Sequence, residues 1–150
     1  MTTKQTVLDA IEAGQIRFVD LWFTDITGTV KTITVPAGKL EAVIDAGLHF
    51  DGSSLEGFAR VAESDMVLVP DLSTFTPLPW TEAQERTAIV ICSVHTPQGD
   101  PFIGDPRNVL LRALERAAEM GFSFKTGMEL EFFLFRDGPE GGRRGLTPQD

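Results

Sequence analysis

Two glutamates, Glu129 and Glu131, lie two positions apart within an apolar run and are the residues best suited to chemistry. The run covers residues 127–135 and reads Gly-Met-Glu-Leu-Glu-Phe-Phe-Leu-Phe, with a turn-forming Asp-Gly-Pro after it. A short apolar run bounded by turn signals predicts a buried strand. Because side chains alternate along a strand, Glu129, Glu131 and Phe133 are expected on one face.

The charges of these two glutamates need a partner on that face. Their Cα atoms would be roughly 7 Å apart at about 3.3 Å per residue, and like charges at that distance repel by roughly 2 kcal/mol at an effective dielectric of about 20. Burial adds a desolvation cost, so either a cation lies over the face or one glutamate keeps its proton. Mg²⁺ or Mn²⁺ suits such oxygen ligands. The alternative is a glutamate face open to solvent or paired with Lys and Arg, since Glu-x-Glu is an unspecific pattern.

A polar loop over residues 50–58 is the second candidate site. It reads Phe-Asp-Gly-Ser-Ser-Leu-Glu-Gly-Phe, and Asp-Gly is a turn signal, so a plain surface turn is one interpretation. The other is that the flanking phenylalanines and leucine are buried at an interface and hold Asp51 and Ser54 rigidly. A desolvated carboxylate beside hydroxyl groups is suited to binding a small cation or to taking a proton.

Composition limits the classes of function. The chain has 150 residues, enough for one ordinary domain or for a small domain and the start of another. Hydrophobic residues make up 42% and charged residues 23%, which is typical of a globular protein. Thirteen basic residues against 22 acidic ones give a net charge of −9, so nucleic-acid or anionic-membrane binding is not expected.

The few cysteine and histidine residues argue against a thiol nucleophile and against a zinc site. Cys92 ends the apolar run 88–92, so we interpret it as a core residue and not as a nucleophile, and a single cysteine suits a reducing compartment. With only His49 and His95 there is little material for a zinc site. We find no membrane-span-length apolar run and no signal peptide, and a cytoplasmic location is expected.

The first part of the chain predicts a small α+β domain with one mixed sheet. Turn residues near position 100 end this unit, and we place the domains at 1–103 and 104–150. The predicted elements are a helix over 4–13 ended by Gly14, strands over 16–23 and 29–35 joined by a turn over 25–28, a helix over 38–46 closed by Gly47, and strands over 66–69 and 86–94.

The second part predicts one helix, the glutamate strand and a loop. Asp105 is a good N-cap, Pro106 fits the first helical position, and the helix is expected to reach Met120. Residues 137–150 are rich in Gly, Pro and charge and are read as a loop. These elements cannot bury a core of their own, so we expect the second domain to be cut short and the chain to be a fragment. The expected apolar stripe of the helix is Val109, Leu110, Ala113, Leu114 and Ala117.

Six short motifs follow one another along nearly the whole chain. They are Phe50-Asp51-Gly52-Ser53-Ser54-Leu55-Glu56-Gly57-Phe58, Glu63-Ser64-Asp65-Met66, Pro70-Asp71, Pro79-Trp80, Gly104-Asp105-Pro106-Arg107 and Gly127-Met128-Glu129-Leu130-Glu131-Phe132-Phe133. In this order they resemble the N-terminal third of a bacterial-type, class I glutamine synthetase. The resemblance implies a β-grasp domain followed by the start of the catalytic α+β domain. It also implies a double-ring dodecamer with active sites between neighbouring subunits, and the ligation of ammonia to glutamate with ATP through γ-glutamyl phosphate.

The resemblance assigns roles to five residues. Glu131 matches a ligand of the metal near glutamate, and Glu129 matches a ligand of the metal that bridges the ATP phosphates. Asp51 and Ser54 match the loop that a neighbouring subunit supplies to the ammonium site, where Asp51 would also take a proton. Arg60 resembles the arginine with which one subtype senses glutamine, and a solvated surface arginine is the alternative.

Two other functions stay open at the level of sequence. A sibling γ-glutamyl-amide ligase using another amine can keep parts of these motifs, although the intact pair Asp51 and Ser54 favours ammonia. A non-catalytic β-grasp module that binds a synthetase ring is the second alternative, and it leaves Glu129 and Glu131 without metal partners. In this family the remaining ligands and most of the nucleotide pocket lie beyond residue 150, so the 150 residues alone are expected to be inactive.

Overall fold

A mixed five-stranded sheet forms the centre of the molecule. The computed structural model describes residues 2–52 and 65–133 and the two short strands that follow. The elements are α1 (Lys4–Gly14), β1 (Phe18–Thr24), β2 (Val30–Pro36), a 3₁₀ turn (Ala37–Lys39), α2 (Leu40–Ala46), β3 (Leu48–Asp51), β4 (Asp65–Pro77), a second 3₁₀ turn (Ala83–Glu85), β5 (Thr87–His95), α3 (Pro106–Glu119), β6 (Phe135–Arg136) and β7 (Thr147–Pro148). The strand order in the five-stranded sheet is β2-β1-β5-β4-β3.

The strand pairing makes the predicted mixed sheet. β1 runs antiparallel to β2 and parallel to β5, while β4 runs antiparallel to both β5 and β3. Alternate residues of β5 are buried, and with Val7 of α1 and Leu40 and Val43 of α2 they belong to one hydrophobic cluster. The two helices therefore cover one face of the sheet, and the predicted helices, hairpin and outer bounds of β5 are confirmed within about two residues.

The ends of the two first helices depend on special backbone conformations. Thr3 caps α1 through a reciprocal bond with Thr6, and Gln15 follows the helix with a left-handed φ of 51°. Gly14, predicted to end the helix, is its last residue. Gly47 does close α2, with φ 74°, and a Cβ there would lie 2.3 Å from Cγ1 of Val67. Only glycine fits that link between α2 and β3.

β3 and β4 depart from the sequence prediction. The short strand predicted over 66–69 is the start of a strand that runs from Asp65 to Pro77, with a register irregularity between Asp71 and Thr76. Pro70 does not end it, because the strand bends at the irregularity that follows and resumes pairing at Thr76. β3 was read as part of a loop, because four residues beside a turn signal carry little periodicity.

The turn between β1 and β2 is built around a buried carboxylate. Oδ1 of Asp25 accepts hydrogen bonds from the Thr27 hydroxyl (2.7 Å), the Thr27 amide (2.9 Å) and the Thr29 amide (2.9 Å). Oδ2 lies 3.3 Å from Nζ of Lys31. The Thr27 hydroxyl first, and then the amides and Lys31, lower the pKa of Asp25 to about 2.

Replacing Asp25 by Asn should remove part of the acid sensitivity of the fold. A depressed pKa means that the ionised group stabilises the folded state above the unfolded pKa of about 4, and that this contribution is lost as the pH falls towards 2. Urea unfolding between pH 6 and pH 2 should show a smaller loss of stability in Asp25→Asn than in the unchanged chain. Equal losses in both proteins would contradict the assignment.

Candidate functional site

Asp51 ends the edge strand β3, and the neighbouring residue fixes that strand to the core. The ring of Phe50 packs against Phe23 of β1, with centroids 5.1 Å apart and planes inclined by 47°. Phe50 is half-buried, whereas Asp51 is exposed on the opposite side of the strand. The sequence placed Asp51 in a loop, and the structure places it at the last paired position of a strand. Phe50 thus packs within the chain, and the hypothesis that the flanking aromatic residues are buried at an interface and hold Asp51 rigidly stays a prediction.

Asp65 is a candidate site residue that the sequence analysis missed. It is the direct cross-strand partner of Asp51 in the β3–β4 ladder. Directly opposed residues have Cβ atoms about 4.5–5.5 Å apart, and like charges in such positions repel. A cation beside this pair is therefore favoured by electrostatics. Only the strand register could have revealed the pair, and the sequence did not give that register because β3 was read as a loop.

Two predicted site residues lie outside the described residues. Ser54 and Arg60 belong to the segment 53–64, between the paired ends Asp51 and Asp65. Their roles stay predictions.

The predicted glutamate strand is absent from the described residues. Residues 122–133 have no regular secondary structure, and strand pairing begins only at Phe135, which pairs with Pro148 in β7. The apolar side chains that were expected in a buried strand are exposed to solvent, and Phe133 is 84% exposed. A strand forms only where a neighbouring strand takes its backbone hydrogen bonds, and the described part of the chain offers none to residues 127–133. The expected loop over 137–150 is likewise wrong at Thr147–Pro148.

Glu129 and Glu131 fit a divalent cation by chemistry, but they supply only part of its ligand set. Both side chains are exposed, and neither forms an ion pair within the described part of the chain. Carboxylate oxygens are the donors that Mg²⁺ and Mn²⁺ prefer, and these ions take about six ligands. The described residues contain no group of three or more His, Cys, Asp or Glu that could hold a metal ion.

The start of α3 is joined to the end of β5 by buried polar side chains. Oδ1 of Asp105 accepts from the Arg107 amide (3.0 Å) and caps the helix as predicted, while Oδ2 accepts from the Val94 amide (2.9 Å). The side-chain amide of Asn108 donates to the Val94 carbonyl (2.9 Å). β1 pairs with β5 only as far as Ile91, and beside Val94 these side chains are joined by the Phe102 amide, which also donates to the Val94 carbonyl (2.9 Å).

Arg107 joins the same helix end to β4. Its Nη2 lies 2.5 Å from Oδ2 of Asp71, and both side chains are partly buried. Hydrogen bonds from Ser73 first, and then the charge of Arg107, lower the pKa of Asp71. The helix α3 thus contacts two neighbouring strands through residues of its first turn.

Cys92 lies in the core, as predicted. It is 1% exposed, and burial raises the pKa of its thiol to about 12. The group is therefore uncharged at neutral pH and unsuited to nucleophilic attack. No helix among the described residues is long and apolar enough to cross a membrane.

The mixed sheet, with two helices on one face and a third helix after it, defines an α+β protein. Comparison with known families identifies the family to which this α+β protein belongs. The model of the glutamine synthetase beta-Grasp domain matches residues 15–97, and that of the glutamine synthetase catalytic domain matches residues 103–149. The chain belongs to the glutamine synthetase family. The predicted fold class, a β-grasp domain followed by the start of the catalytic domain, is confirmed.

Glutamine synthetases from bacteria are similar over almost the whole chain. The protein from Mycobacterium tuberculosis is 48% identical over 141 residues, which cover 93% of this chain and 32% of that protein. The protein from Clostridium saccharobutylicum is 43% identical over 148 residues, which cover 99% of this chain and 33% of that protein. The chain therefore spans about a third of the length of these relatives.

Solved structures share the fold. A complex of GmaS with ADP superposes with a TM-score of 0.68 at 27% identity, covering 80% of this chain and 26% of that chain. The Plasmodium falciparum glutamine synthetase superposes with a TM-score of 0.72 over 81% of this chain and 23% of that chain. At 18% identity, this second match supports the fold alone.

Replacing Asp105 by Ala should destabilise the fold strongly. The change removes the acceptor of two amides, one of them in the middle of the sheet, and a buried amide without a partner is costly. We expect the free energy of unfolding to fall by about 2–4 kcal/mol, measured by urea denaturation. Glu12→Ala, an exposed change on α1, is the control, and its free energy of unfolding should fall by less than about 0.5 kcal/mol. Similar values for the two variants would contradict the role of Asp105.

Proposed function

We propose that this chain is the N-terminal part of a glutamine synthetase that ligates ammonia to L-glutamate at the expense of ATP, through γ-glutamyl phosphate. The observation that carries this proposal is the match to both domains of the family, in order, together with the 48% identity to the Mycobacterium tuberculosis protein over 93% of the chain. We take residues 1–103 as the β-grasp domain and residues 104–150 as the beginning of the catalytic domain.

Glu129 and Glu131 are the residues of this chain that would hold the divalent cations. Glu131 would help to hold the Mg²⁺ or Mn²⁺ that serves glutamate, and Glu129 the one that serves the phosphates of ATP. Such cations neutralise the charge that develops as a phosphoryl group is transferred. The exposed and unpaired state of both carboxylates in the described part of the chain leaves them available for this role.

Asp51 and Ser54 would form the part of the active site that binds ammonium. The carboxylate of Asp51 attracts NH₄⁺ and takes its proton, which leaves the neutral amine that attacks the acyl phosphate. Asp65, opposite Asp51, adds negative charge at the same place and favours the ammonium ion further. The edge position of β3 suits delivery of this group to a neighbouring subunit, because nothing pairs with its outer side in the described sheet.

The assembly and its regulation complete the proposal. We infer a double-ring dodecamer with each active site shared between neighbouring subunits, a cytoplasmic location, and a role for Arg60 in sensing glutamine. Family membership supports the assembly and the role of Arg60. The single, buried cysteine suits a reducing compartment and supports the cytoplasmic location.

Replacing Asp51 by Ala in the full-length protein should raise the KM for ammonium and lower kcat. Loss of a positioned base costs about 100-fold or more in rate, whereas the KM for ATP should stay the same. Initial rates of glutamine formation at varied ammonium measure both constants. Asp9→Ala, an exposed change on α1, is the matched control. Unchanged ammonium kinetics in Asp51→Ala would rule out the role.

Replacing Glu131 by Ala should weaken the use of metal and of glutamate together. Glu131 would be one of several ligands of its cation, so removing it lowers the affinity for that ion. Loss of a group that only supports a metal ligand already costs about 10-fold or more, and we expect at least that loss here. The concentration of Mn²⁺ needed for half-maximal activity and the KM for glutamate are the readouts. Glu115→Ala, which removes an exposed carboxylate from α3, is the control. A Mn²⁺ dependence equal to that of the unchanged protein would refute the assignment.

A further inference from the structure

The irregularity in β4 is held in shape by its own side chains. The hydroxyl and the amide of Ser73 both donate to Oδ1 of Asp71, at 2.6 and 3.0 Å. The hydroxyl of Thr74 donates to the Asp71 carbonyl (2.7 Å) and accepts from the Ile91 amide (2.8 Å), which replaces a backbone partner across the interrupted ladder. Bulges of this kind redirect a side chain, and here the redirected group is the carboxylate of Asp71.

The redirected carboxylate contacts Arg107 through one of its two oxygens. Arg107 binds Asp71 through Nη2, and its Nε has no hydrogen-bond partner in the described part of the chain. A bidentate pair would satisfy Nε, but the second oxygen of Asp71 accepts from Ser73. Ser73 therefore restricts Asp71 and Arg107 to a single contact.

The ion pair adds a second attachment to the start of α3. Asp105 and Asn108 hold the helix to β5, and Arg107, which lies between them, holds it to β4. Two attachments on neighbouring strands fix the direction of a helix, whereas one attachment leaves it free to pivot. β4 also carries Asp65, the partner of Asp51, at its other end.

We propose that Asp71 and Arg107 are positioning residues, which set the angle between the sheet that carries Asp51 and the catalytic part of the chain that begins at α3. The inference rests on the proposed function, in which the sheet of one subunit delivers Asp51 to catalytic-domain residues of a neighbouring subunit, so that the angle at which the sheet is held decides where Asp51 lies. Neither residue touches a substrate, and their effect reaches the reaction through the placement of Asp51.

The test uses the full-length protein with Asp71→Asn, Arg107→Gln and both changes together. Small misplacements of a reacting group are costly, so we expect kcat/KM for ammonium to fall by about tenfold or more, with the KM for ATP unchanged. The double variant should be no worse than either single variant, because all three break one interaction. Arg107→Lys, which keeps the charge, should recover part of the loss.

Asp25→Asn is the matched control. It removes an aspartate–lysine pair at the β1–β2 turn, on the same sheet, and within the described residues this ion pair shares no residue with the Asp71–Arg107 pair. It should lower the melting temperature without changing kcat/KM for ammonium. If the Asp71 and Arg107 variants lower only the melting temperature, as the control does, the positioning role is overturned.

Hydrogen exchange separates this inference from the proposed function. Amides of the first turn of α3 should exchange faster in Asp71→Asn and Arg107→Gln than in the unchanged full-length protein, and Asp25→Asn should leave them unaffected. Equal exchange in all of these proteins would overturn the inference whatever the activity. If the unchanged protein makes no glutamine from ammonium but the variants show the faster exchange, the proposed function is refuted. The attachment of α3 is then still established.

Discussion

The backbone of Val94 near the end of β5 is the constraint on which the rest of the structure depends. β1 stops pairing with β5 at Ile91, so the amide and carbonyl of Val94 face a side where no strand continues. Buried backbone groups need partners. The Val94 amide donates to Asp105, the N-cap of α3, and the Val94 carbonyl accepts from the Phe102 amide and from Asn108 in the first turn of α3. The central sheet is therefore complete only when the following helix is in place, which joins the β-grasp part to the start of the catalytic part.

Each of the two candidate sites contains a pair of carboxylates. Asp51 and Asp65 oppose each other on β3 and β4, and Glu129 and Glu131 lie two residues apart in a segment that is exposed in the described chain. In the proposed function, ammonium would bind at the first pair and divalent cations at the second. Both pairs would then take part in one reaction, in which ammonia attacks a glutamate activated by ATP.

The sequence predicted the parts of the fold that depend on local signals. The cap at Asp105, the glycine after α2 and the apolar run 88–92 in β5 marked their elements correctly. It failed where distant partners decide. β4 continues past Pro70 because side chains of Ser73 and Thr74 support a bulge, and Asp65 becomes a candidate only through its register. Residues 127–133 carry the pattern of a buried strand but lack a neighbouring strand among the described residues.

The choice of amine tests the central claim most directly. The full-length protein should be supplied with glutamate, ATP and Mg²⁺, and phosphate release should be measured with ammonium, methylamine and a polyamine in turn. The account predicts that ammonium supports the fastest reaction and that the product is glutamine, because the carboxylates at Asp51 and Asp65 suit a small cation. A clear preference for methylamine or for the polyamine would contradict the account and indicate a γ-glutamyl-amide ligase, and no phosphate release with any amine would contradict a catalytic role.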